Sequence, residues 1–248
     1  MKVPKKFQKD IEFWEKYYLD QMSFMLLQDK TKMINALNSK DEIKSDWIDV
    51  FIKKSCDIDR GAERIYFWLF NQLGIPNSTP IGSDLLYETS NAFLHIDVKT
   101  SSYYYGKDKK RNTSDFFGVV PIGHNQTSYE YVEQKGGKQI KHTSNLPPIY
   151  KTKNKLCLTY IIQLVYDRAE DGDLIIISIY LISVPNGLLK SVYGDNICGG
   201  SKNKNEAFRY YYKRDPKFSL CPNKPYRIAK LYLREGFTEK DILDFEIK

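Results

Sequence analysis

The sequence has 248 residues, of which 42% are hydrophobic and 28% charged, a composition typical of a folded globular protein. This length suffices for one substantial α/β core, is short for two independent enzymatic domains, and excludes extensive disorder at this composition. No apolar run reaches transmembrane length, and residues 1–10 are charged and lack the apolar core of a signal peptide. We therefore expect a cytoplasmic protein without membrane contact.

The cysteines are too few and too scattered for a covalent or zinc-bound framework. The four thiols are widely spaced and form no C-x-x-C pair; they are Cys56, Cys157, Cys198 and Cys221. The spacing therefore predicts neither a disulfide scaffold nor a zinc site.

The first segment, residues 1–57, has a helical pattern. Phe7, Ile11 and Trp14 recur at three-to-four spacing, and further apolar residues follow at Met22 and Met25. Such a helix can be half of a dimer interface or a layer that covers the central sheet. The period matches a buried helix face, which favours packing over a base-stacking surface.

A second helix-like run, Arg60 to Phe70, is apolar and lies just upstream of Asp84. The next feature is the segment from Phe93 to Lys99, which alternates with period two and is therefore predicted to be a β-strand. Its apolar members are Leu94, Ile96 and Val98. Asp97 and Lys99 share the opposite face, with backbones roughly 6–7 Å apart.

A preceding strand can bring Asp84 to the same place. Residues 83–87 are predicted to form this strand, and the polar residues 88–91 the connection that folds it back antiparallel. The two carboxylates of Asp84 and Asp97 would then meet. Mg²⁺ prefers oxygen ligands and is commonly held by one or two carboxylates plus substrate phosphate oxygens. A lysine beside them can orient or deprotonate water, or stabilise charge on phosphorus, and the sequence does not distinguish these roles.

Asp84, followed by Asp97-Val98-Lys99, resembles the motif of the PD-(D/E)XK nuclease superfamily, to which type II restriction endonucleases belong. Ser83 stands where the motif has proline, a frequent departure in the family. The resemblance implies an α/β restriction-endonuclease-like core, in which helices flank a central mixed β-sheet. It also implies that Asp84 and Asp97 bind metal and that Lys99 is catalytic. Glu63, on the preceding helix, would be a further catalytic residue that supports the metal site as a ligand. Glu88 is the weaker candidate for this role.

By the same resemblance the protein would be a Mg²⁺-dependent type II restriction endonuclease. It would cleave double-stranded DNA as a homodimer at a short symmetric sequence, leave 5′-phosphate ends, and have a cognate methyltransferase in the same host. We expect one nuclease domain over residues 1–248. Its parts are a helical segment 1–57, a catalytic core 58–102, core strands and DNA-contacting loops 103–234, and a terminal helix 235–248.

The net charge of +7 is unevenly distributed. Residues 99–155 hold eleven Lys and Arg against four Asp and Glu, and residues 202–234 hold ten against two, so the rest of the chain is net negative. Such basic segments are typical of surfaces that follow a phosphate backbone. The predicted contacts are in a loop over 100–111 and in a glycine-led segment over 199–209. They are Lys107, Lys109, Lys110, Arg111, Lys202, Asn203, Lys204 and Arg209.

A candidate recognition segment lies between these two, in residues 115–129. Glycines and a proline bracket side chains that can hydrogen-bond to bases or phosphates, namely His124, Asn125, Gln126, Thr127 and Ser128. Asn and Gln pair bidentately with adenine in the major groove, and Ser and Thr contact bases or phosphates. The same composition also suits a simple polar turn.

The remaining elements are structural. Residues 156–166 and 174–184 are predicted to be adjacent core strands or a buried hairpin, although the first could be a helix. Pro185-Asn186-Gly187 is predicted to end the second strand as a turn. Residues 238–245 are predicted to form a short capped helix.

Two other functions remain open on this sequence. One is a repair or junction nuclease of the same fold that recognises DNA shape, and the other is a non-catalytic DNA-binding protein in which Asp97 and Lys99 only pair. Discrete fragments from plasmid DNA would favour restriction. Activity confined to branched or single-stranded DNA would favour the repair or junction nuclease, and binding without metal-dependent cutting would favour the non-catalytic protein.

Overall fold

A central sheet with helices packed on it forms the body of the protein. The computed structural model describes residues 5–38, 62, 65–66, 84–103, 119–123, 125–168, 174–194, 198–199, 217–243 and 245–247. The α-helices with described bounds are α1 (Lys5–Gln28), α2 (Lys30–Asn38), α3 (Lys190–Tyr193) and α4 (Glu239–Leu243), and residues 62, 65 and 66 are also helical. Short 3₁₀ helices lie at Gly187–Leu189 and Pro225–Arg227.

The strands fall into one large sheet and two small ones. They are β1 (Leu85–Glu88), β2 (Ala92–Ser102), β3 (Val119–Pro121), β4 (Tyr131–Lys135), β5 (Lys138–His142), β6 (Ile149–Tyr150), β7 (Lys155–Arg168), β8 (Leu174–Val184), β9 (Cys198–Gly199), β10 (Lys217–Ser219) and β11 (Ile228–Leu233). The main sheet has the order β1-β2-β7-β8-β11, and β6 also pairs with β7. In this sheet β2 and β7 are parallel and the other pairs antiparallel. The predicted mixed sheet flanked by helices is confirmed.

The longest strands, β7 and β8, form the antiparallel core hairpin that the sequence predicted. Their register runs from Thr159 opposite Val184 to Arg168 opposite Leu174. The helical alternative for the first segment is therefore wrong. Both strands are rich in apolar residues that are buried, and β8 is rich in isoleucine, which fits a buried pleated sheet. The turn predicted after β8 is also present, because Asn186 accepts a hydrogen bond from Leu188 N at 2.8 Å and caps the 3₁₀ helix.

Two apolar clusters lie on opposite faces of this sheet. Tyr160, Ile162 and Leu164 of β7 belong to the cluster that also contains residues of α1 and α2, whereas Ile161 and Val165 belong to the other. Alternate side chains of a strand point to opposite faces. The face of the sheet that packs against α1 and α2 and the face that contains Ile161 are therefore the two opposite sides of the sheet.

The helical pattern predicted for residues 1–57 is present in the described part, residues 5–38. Ile11, Leu19, Met22 and Leu26 are buried, and α1 packs against β8 and β11. One face of α1 therefore covers the sheet, while Phe13 and Phe24 are exposed. The predicted dimer role stays a prediction, and residues 39–57 lie outside the described part.

Other elements differ from the sequence expectations. The first residues of the loop predicted over 100–111 are instead part of β2, which continues to Ser102 opposite Tyr166 because backbone pairing with β7 holds its polar end extended; residues 104–111 lie outside the described part. The hairpin of β4 and β5 and the edge strand β11 were not predicted. The terminal helix is confirmed as α4. Asp241 caps its start by accepting hydrogen bonds from Thr238 N and Oγ1 at 2.8 and 2.6 Å. Among the helices described, none has the length and apolar character needed to cross a membrane.

Candidate active site

The hairpin of β1 and β2 holds Asp84 next to Asp97. β1 runs antiparallel to β2, with Leu85 opposite Ile96 and Glu88 opposite Phe93. Asp84 precedes Leu85 and Asp97 follows Ile96, so the same register places the two aspartates at opposite positions. The turn closes with a hydrogen bond from Thr89 N to Ala92 O of 2.8 Å. The predicted hairpin and its polar connection are therefore present.

The alternation of β2 separates its apolar residues from its reactive ones. Leu94, Ile96 and Val98 are buried in the apolar cluster that also contains residues of α1 and α2. Asp97 and Lys99 lie on the other face, where Asp97 is 1% exposed and the side chain of Lys99 is 25% exposed. The carboxylate is therefore shielded from water, while the ammonium group can still reach a molecule that enters the site.

Backbone and side-chain contacts hold both carboxylates in place. Asp84 Oδ2 accepts a hydrogen bond from Val98 N at 2.6 Å, which ties Asp84 to the backbone of β2 directly after Asp97. Lys99 Nζ forms an ion pair with Asp97 Oδ2. This contact lacks hydrogen-bond geometry, so within the described part of the chain Oδ2 is a buried oxygen that accepts no hydrogen bond.

The other oxygen of Asp97 is bound by Gln126. Gln126 Nε2 donates to Asp97 Oδ1 at 2.6 Å, while Gln126 Oε1 accepts from Gly123 N at 2.6 Å and from Lys99 Nζ at 3.4 Å. Gln126 therefore bridges the acid and the amine of the motif. The sequence assigned it to DNA contact, and no spacing rule connects residue 126 to a strand that ended at Ser102.

Asp97 has an unusual affinity for a proton. Burial raises its pKa to about 7, and the nearby charge of Asp84 acts in the same direction, whereas the Lys99 ammonium opposes the rise. Two adjacent carboxylates, one of them buried, repel each other, and the single ammonium of Lys99 neutralises only one of them. A divalent cation bound between them would stabilise both in the ionised form.

The donor set fits a hard divalent cation. Asp84 and Asp97 offer carboxylate oxygens, and Asp97 Oδ2 has the unused acceptor capacity of a ligand. Among the residues that the structure describes, no group of three or more His, Cys, Asp or Glu is assembled for a metal. The pair would therefore hold an ion together with water and phosphate oxygens, as is usual for Mg²⁺.

The two glutamates proposed as additional ligands have different outcomes. Glu63 lies outside the described residues. Glu88 is at the far end of β1 from Asp84, where it forms ion pairs with Lys153 at 3.1 Å and Lys155 at 2.7 Å. Hydrogen bonds from Lys155 and Lys153 hold the pKa of Glu88 below its ordinary value. The structure therefore does not bring Glu88 to the aspartates.

Most residues predicted to contact DNA lie outside the described part of the chain: Lys107, Lys109, Lys110, Arg111, His124, Lys202, Asn203, Lys204 and Arg209. Of the others, Asn125 is exposed. Thr127 and Ser128 are buried at 2% and 4% exposure, and they accept hydrogen bonds from Tyr129 N and Gly187 N. Their hydroxyls serve the protein's own backbone here, and their contact with DNA stays a prediction.

Comparisons with known proteins agree with this geometry. Residues 7–171 match the family model of the type II restriction enzyme MwoI, N-terminal domain, and residues 176–233 match the central domain of the same enzyme. A search of curated proteins finds no match.

Two solved structures share the fold. The tetrameric restriction endonuclease SfiI bound to cognate DNA superimposes with a TM-score of 0.64 at 13% identity, covering 92% of this chain and 86% of SfiI. The restriction endonuclease BglI bound to its DNA recognition sequence gives 0.59 at 14% identity, covering 90% of each chain. Since a family model spans well over half of the sequence, the chain belongs to the family of the type II restriction enzyme MwoI and is a type II site-specific deoxyribonuclease of the PD-(D/E)XK-like fold.

Proposed function

We propose that this enzyme hydrolyses phosphodiester bonds of double-stranded DNA at one short sequence in a Mg²⁺-dependent reaction that leaves 5′-phosphate ends. The observation that supports this most is the convergence of two carboxylates and one amine at a single point of the sheet. Asp84 is tied to the backbone beside Asp97, and Lys99 contacts Asp97. Asp84 and Asp97 would hold the metal, with Glu63 as a further ligand.

Each residue has a distinct task in this proposal. When bound, Mg²⁺ neutralises phosphate charge and makes water a better nucleophile. Asp84 and Asp97 provide fixed oxygen ligands, because the strand backbone and Gln126 restrain their side chains. Lys99 is partly exposed beside them and can orient or deprotonate the attacking water, or stabilise the charge that develops on phosphorus. Proton transfer by a positioned group contributes about 10²–10⁴-fold to a rate.

The proposal also covers the oligomeric state of the enzyme, its cellular location and its partner enzyme. It would act as a homodimer on a symmetric site in the cytoplasm, with a methyltransferase that protects host DNA. One domain would carry the whole activity. In support, the first matched family segment ends after β7 and the second begins inside β8, and these two strands are hydrogen-bonded neighbours in one sheet.

Cleavage of plasmid and phage DNA, with Mg²⁺ or with EDTA, tests the proposal. We expect discrete fragments with Mg²⁺ alone and 5′-phosphates on their ends. Asp97→Ala and Lys99→Ala should abolish cleavage, since the first removes a proposed metal ligand and the second the amine proposed to act on the water or on the charge at phosphorus, while DNA binding measured in EDTA is largely retained.

The matched controls are Asp20→Ala and Lys16→Ala, because these two residues form an exposed ion pair on α1. Both control variants should cleave at the wild-type rate. Full cleavage by Asp97→Ala or Lys99→Ala would refute the assigned residues. Activity confined to branched or single-stranded DNA would refute a sequence-specific role.

A further inference from the structure

We propose that Gln126 is a positioning residue that holds Asp97 and Lys99 in the arrangement needed for cleavage, and that it does not read a base. The proposal rests on the function proposed above and adds a residue outside the motif. Gln126 is the residue whose amide spans both groups: Nε2 donates to Asp97 Oδ1 at 2.6 Å and Oε1 accepts from Lys99 Nζ at 3.4 Å.

The neighbours of Gln126 permit one orientation of its amide. Gly123 N and Lys99 Nζ are donors only, so they must face the carbonyl oxygen Oε1. With Oε1 placed by these two donors, the amino group Nε2 is left to face Asp97 Oδ1 and donates to it. Rotating the amide by half a turn would place donor against donor and oxygen against oxygen. The orientation of the amide is therefore fixed by its contacts with both Asp97 and Lys99.

The segment that carries Gln126 is anchored to the protein. Gln126 N donates to Gly123 O at 3.0 Å, and Ser128 Oγ accepts from Gly187 N at 3.0 Å. The backbones at Ser128 and Gly187 approach so closely that a Cβ at Gly187 would lie 2.0 Å from Ser128 O. An anchored segment presents Gln126 to Asp97 in a fixed place, and such support limits the small displacements to which catalytic geometry is sensitive.

Burial makes the contact with Asp97 consequential. Asp97 is 1% exposed, so water cannot readily replace a lost donor to Oδ1. Without Gln126 the carboxylate would lose its hydrogen bond at Oδ1 and could turn together with its ion pair to Lys99. We expect this freedom to misalign the pair, since a displacement of about 1 Å in an active site can cost on the order of 100-fold in rate.

Base reading and positioning exclude each other at this residue. A glutamine that pairs bidentately with adenine uses both its carbonyl and its amino group. In Gln126 both groups are already engaged within the protein. The two roles predict different losses on substitution, and this difference makes the proposal testable.

The test compares Gln126→Ala with wild type in single-turnover cleavage of cognate duplex DNA and in equilibrium DNA binding measured in EDTA. We expect the cleavage rate to fall at least about 10-fold, with Kd changed less than about twofold and the cleaved sequence unchanged. Gln126→Glu places a carboxylate against Asp97 and should slow cleavage as well. Because it is isosteric, it keeps the test valid should the alanine variant fail to fold.

Gln28→Ala is the matched control, because Gln28 is an exposed glutamine at the end of α1. Melting temperatures of all variants separate positioning from a loss of fold: a slower reaction at an unchanged melting temperature supports positioning. Cleavage by Gln126→Ala at the wild-type rate would overturn the proposal. Weaker binding with relaxed sequence discrimination would also overturn it and would assign base reading to Gln126.

The failure of this inference can be distinguished from failure of the proposed function. If wild-type protein cleaves with Mg²⁺ and Asp97→Ala does not, the proposed function stands, and the Gln126 variants then decide the positioning role alone. If wild-type protein does not cleave duplex DNA, the proposed function itself is wrong and the positioning role falls with it.

Discussion

Asp97 combines burial with charge, a combination that proteins use sparingly because a buried carboxylate is costly unless it is paired and hydrogen-bonded. Here Lys99 provides the opposite charge and Gln126 the hydrogen bond. The burial that raises the pKa of Asp97 also strengthens its interaction with any positive charge that enters. The site is therefore suited to bind a cation with few ligands.

Replacing Lys99 with arginine tests whether charge alone is sufficient. Lys99 Nζ lies between Asp97 Oδ2 and Gln126 Oε1, and a planar guanidinium is larger than an ammonium group and is never deprotonated in proteins. We expect Lys99→Arg to reduce the single-turnover cleavage rate by about 100-fold or more, with DNA binding in EDTA unchanged. Lys16→Arg, on the exposed face of α1, should have no effect. A Lys99→Arg variant with near wild-type cleavage would show that a positive charge is all that position 99 contributes.

The sequence predicts that Asp84, Asp97 and Lys99 lie together, but it does not predict that Gln126 bridges Asp97 and Lys99. Asp84, Asp97 and Lys99 could be placed together because strand alternation and a short turn are local rules. Gln126 reaches the site through a folded segment whose path depends on contacts such as that of Ser128 with Gly187. No local pattern encodes such a path, so its polar side chains were interpreted as DNA contacts.

Among the elements, α1 is held to the sheet by a buried ion pair as well as by apolar packing. Glu15 of α1 and Arg227, at the end of the 3₁₀ helix before β11, are each 1% exposed, and Arg227 Nη2 lies 2.8 Å from Glu15 Oε2. Glu15 Oε1 also accepts from Asn186 N at 2.5 Å. This cluster joins the N-terminal helix to the turn after β8 and to the start of β11.

Removing one partner of this pair should destabilise the whole fold. Arg227→Ala leaves the Glu15 carboxylate buried without its counter-ion, which typically costs about 3–5 kcal/mol. Urea unfolding at neutral pH measures this loss. Lys240→Ala, which breaks the exposed ion pair with Glu246, should change stability by less than about 1 kcal/mol. A loss below that level for Arg227→Ala would mean that the pair does not hold α1 in place.

Some elements could be predicted and others could not, for physical reasons. The spacing of apolar residues predicted α1, and two strongly apolar stretches predicted β7 and β8, with a helix left open for the first. The β4–β5 hairpin has a usable signal in Gly136-Gly137, whose φ values of +55° and +75° suit a two-residue turn. β11 was missed because it is short, lies in a longer segment that is basic and aromatic, and its apolar residues do not alternate strictly with polar ones. It forms by pairing with β8, a tertiary contact.

On the scale of the whole molecule, the two matched family segments fold into one sheet. The first segment ends at residue 171, after β7, and the second begins at residue 176, inside β8, yet β7 and β8 are paired along most of their length. A sheet divided at that point would expose the apolar faces of both strands to water. The chain is therefore expected to behave as one cooperative unit.

A comparison of unfolding probes tests this expectation. Far-ultraviolet circular dichroism and tryptophan fluorescence should report the same urea midpoint, and the calorimetric and van't Hoff enthalpies should agree, as in two-state unfolding. The enzyme without added metal is the right sample, because a bound ion stabilises only the folded state. Two separate transitions would show instead that the segments unfold independently.

The close approach of Gly187 to Ser128 affects how mutations of this enzyme should be interpreted. Position 187 has room for a hydrogen atom but not for a methyl group, since a Cβ there would lie 2.0 Å from Ser128 O. Any side chain would displace the segment that carries Gln126, although residue 187 has no reactive group of its own. In a genetic screen for lost restriction, an inactive mutant at Gly187 would resemble a defect in chemistry while every catalytic side chain remained intact.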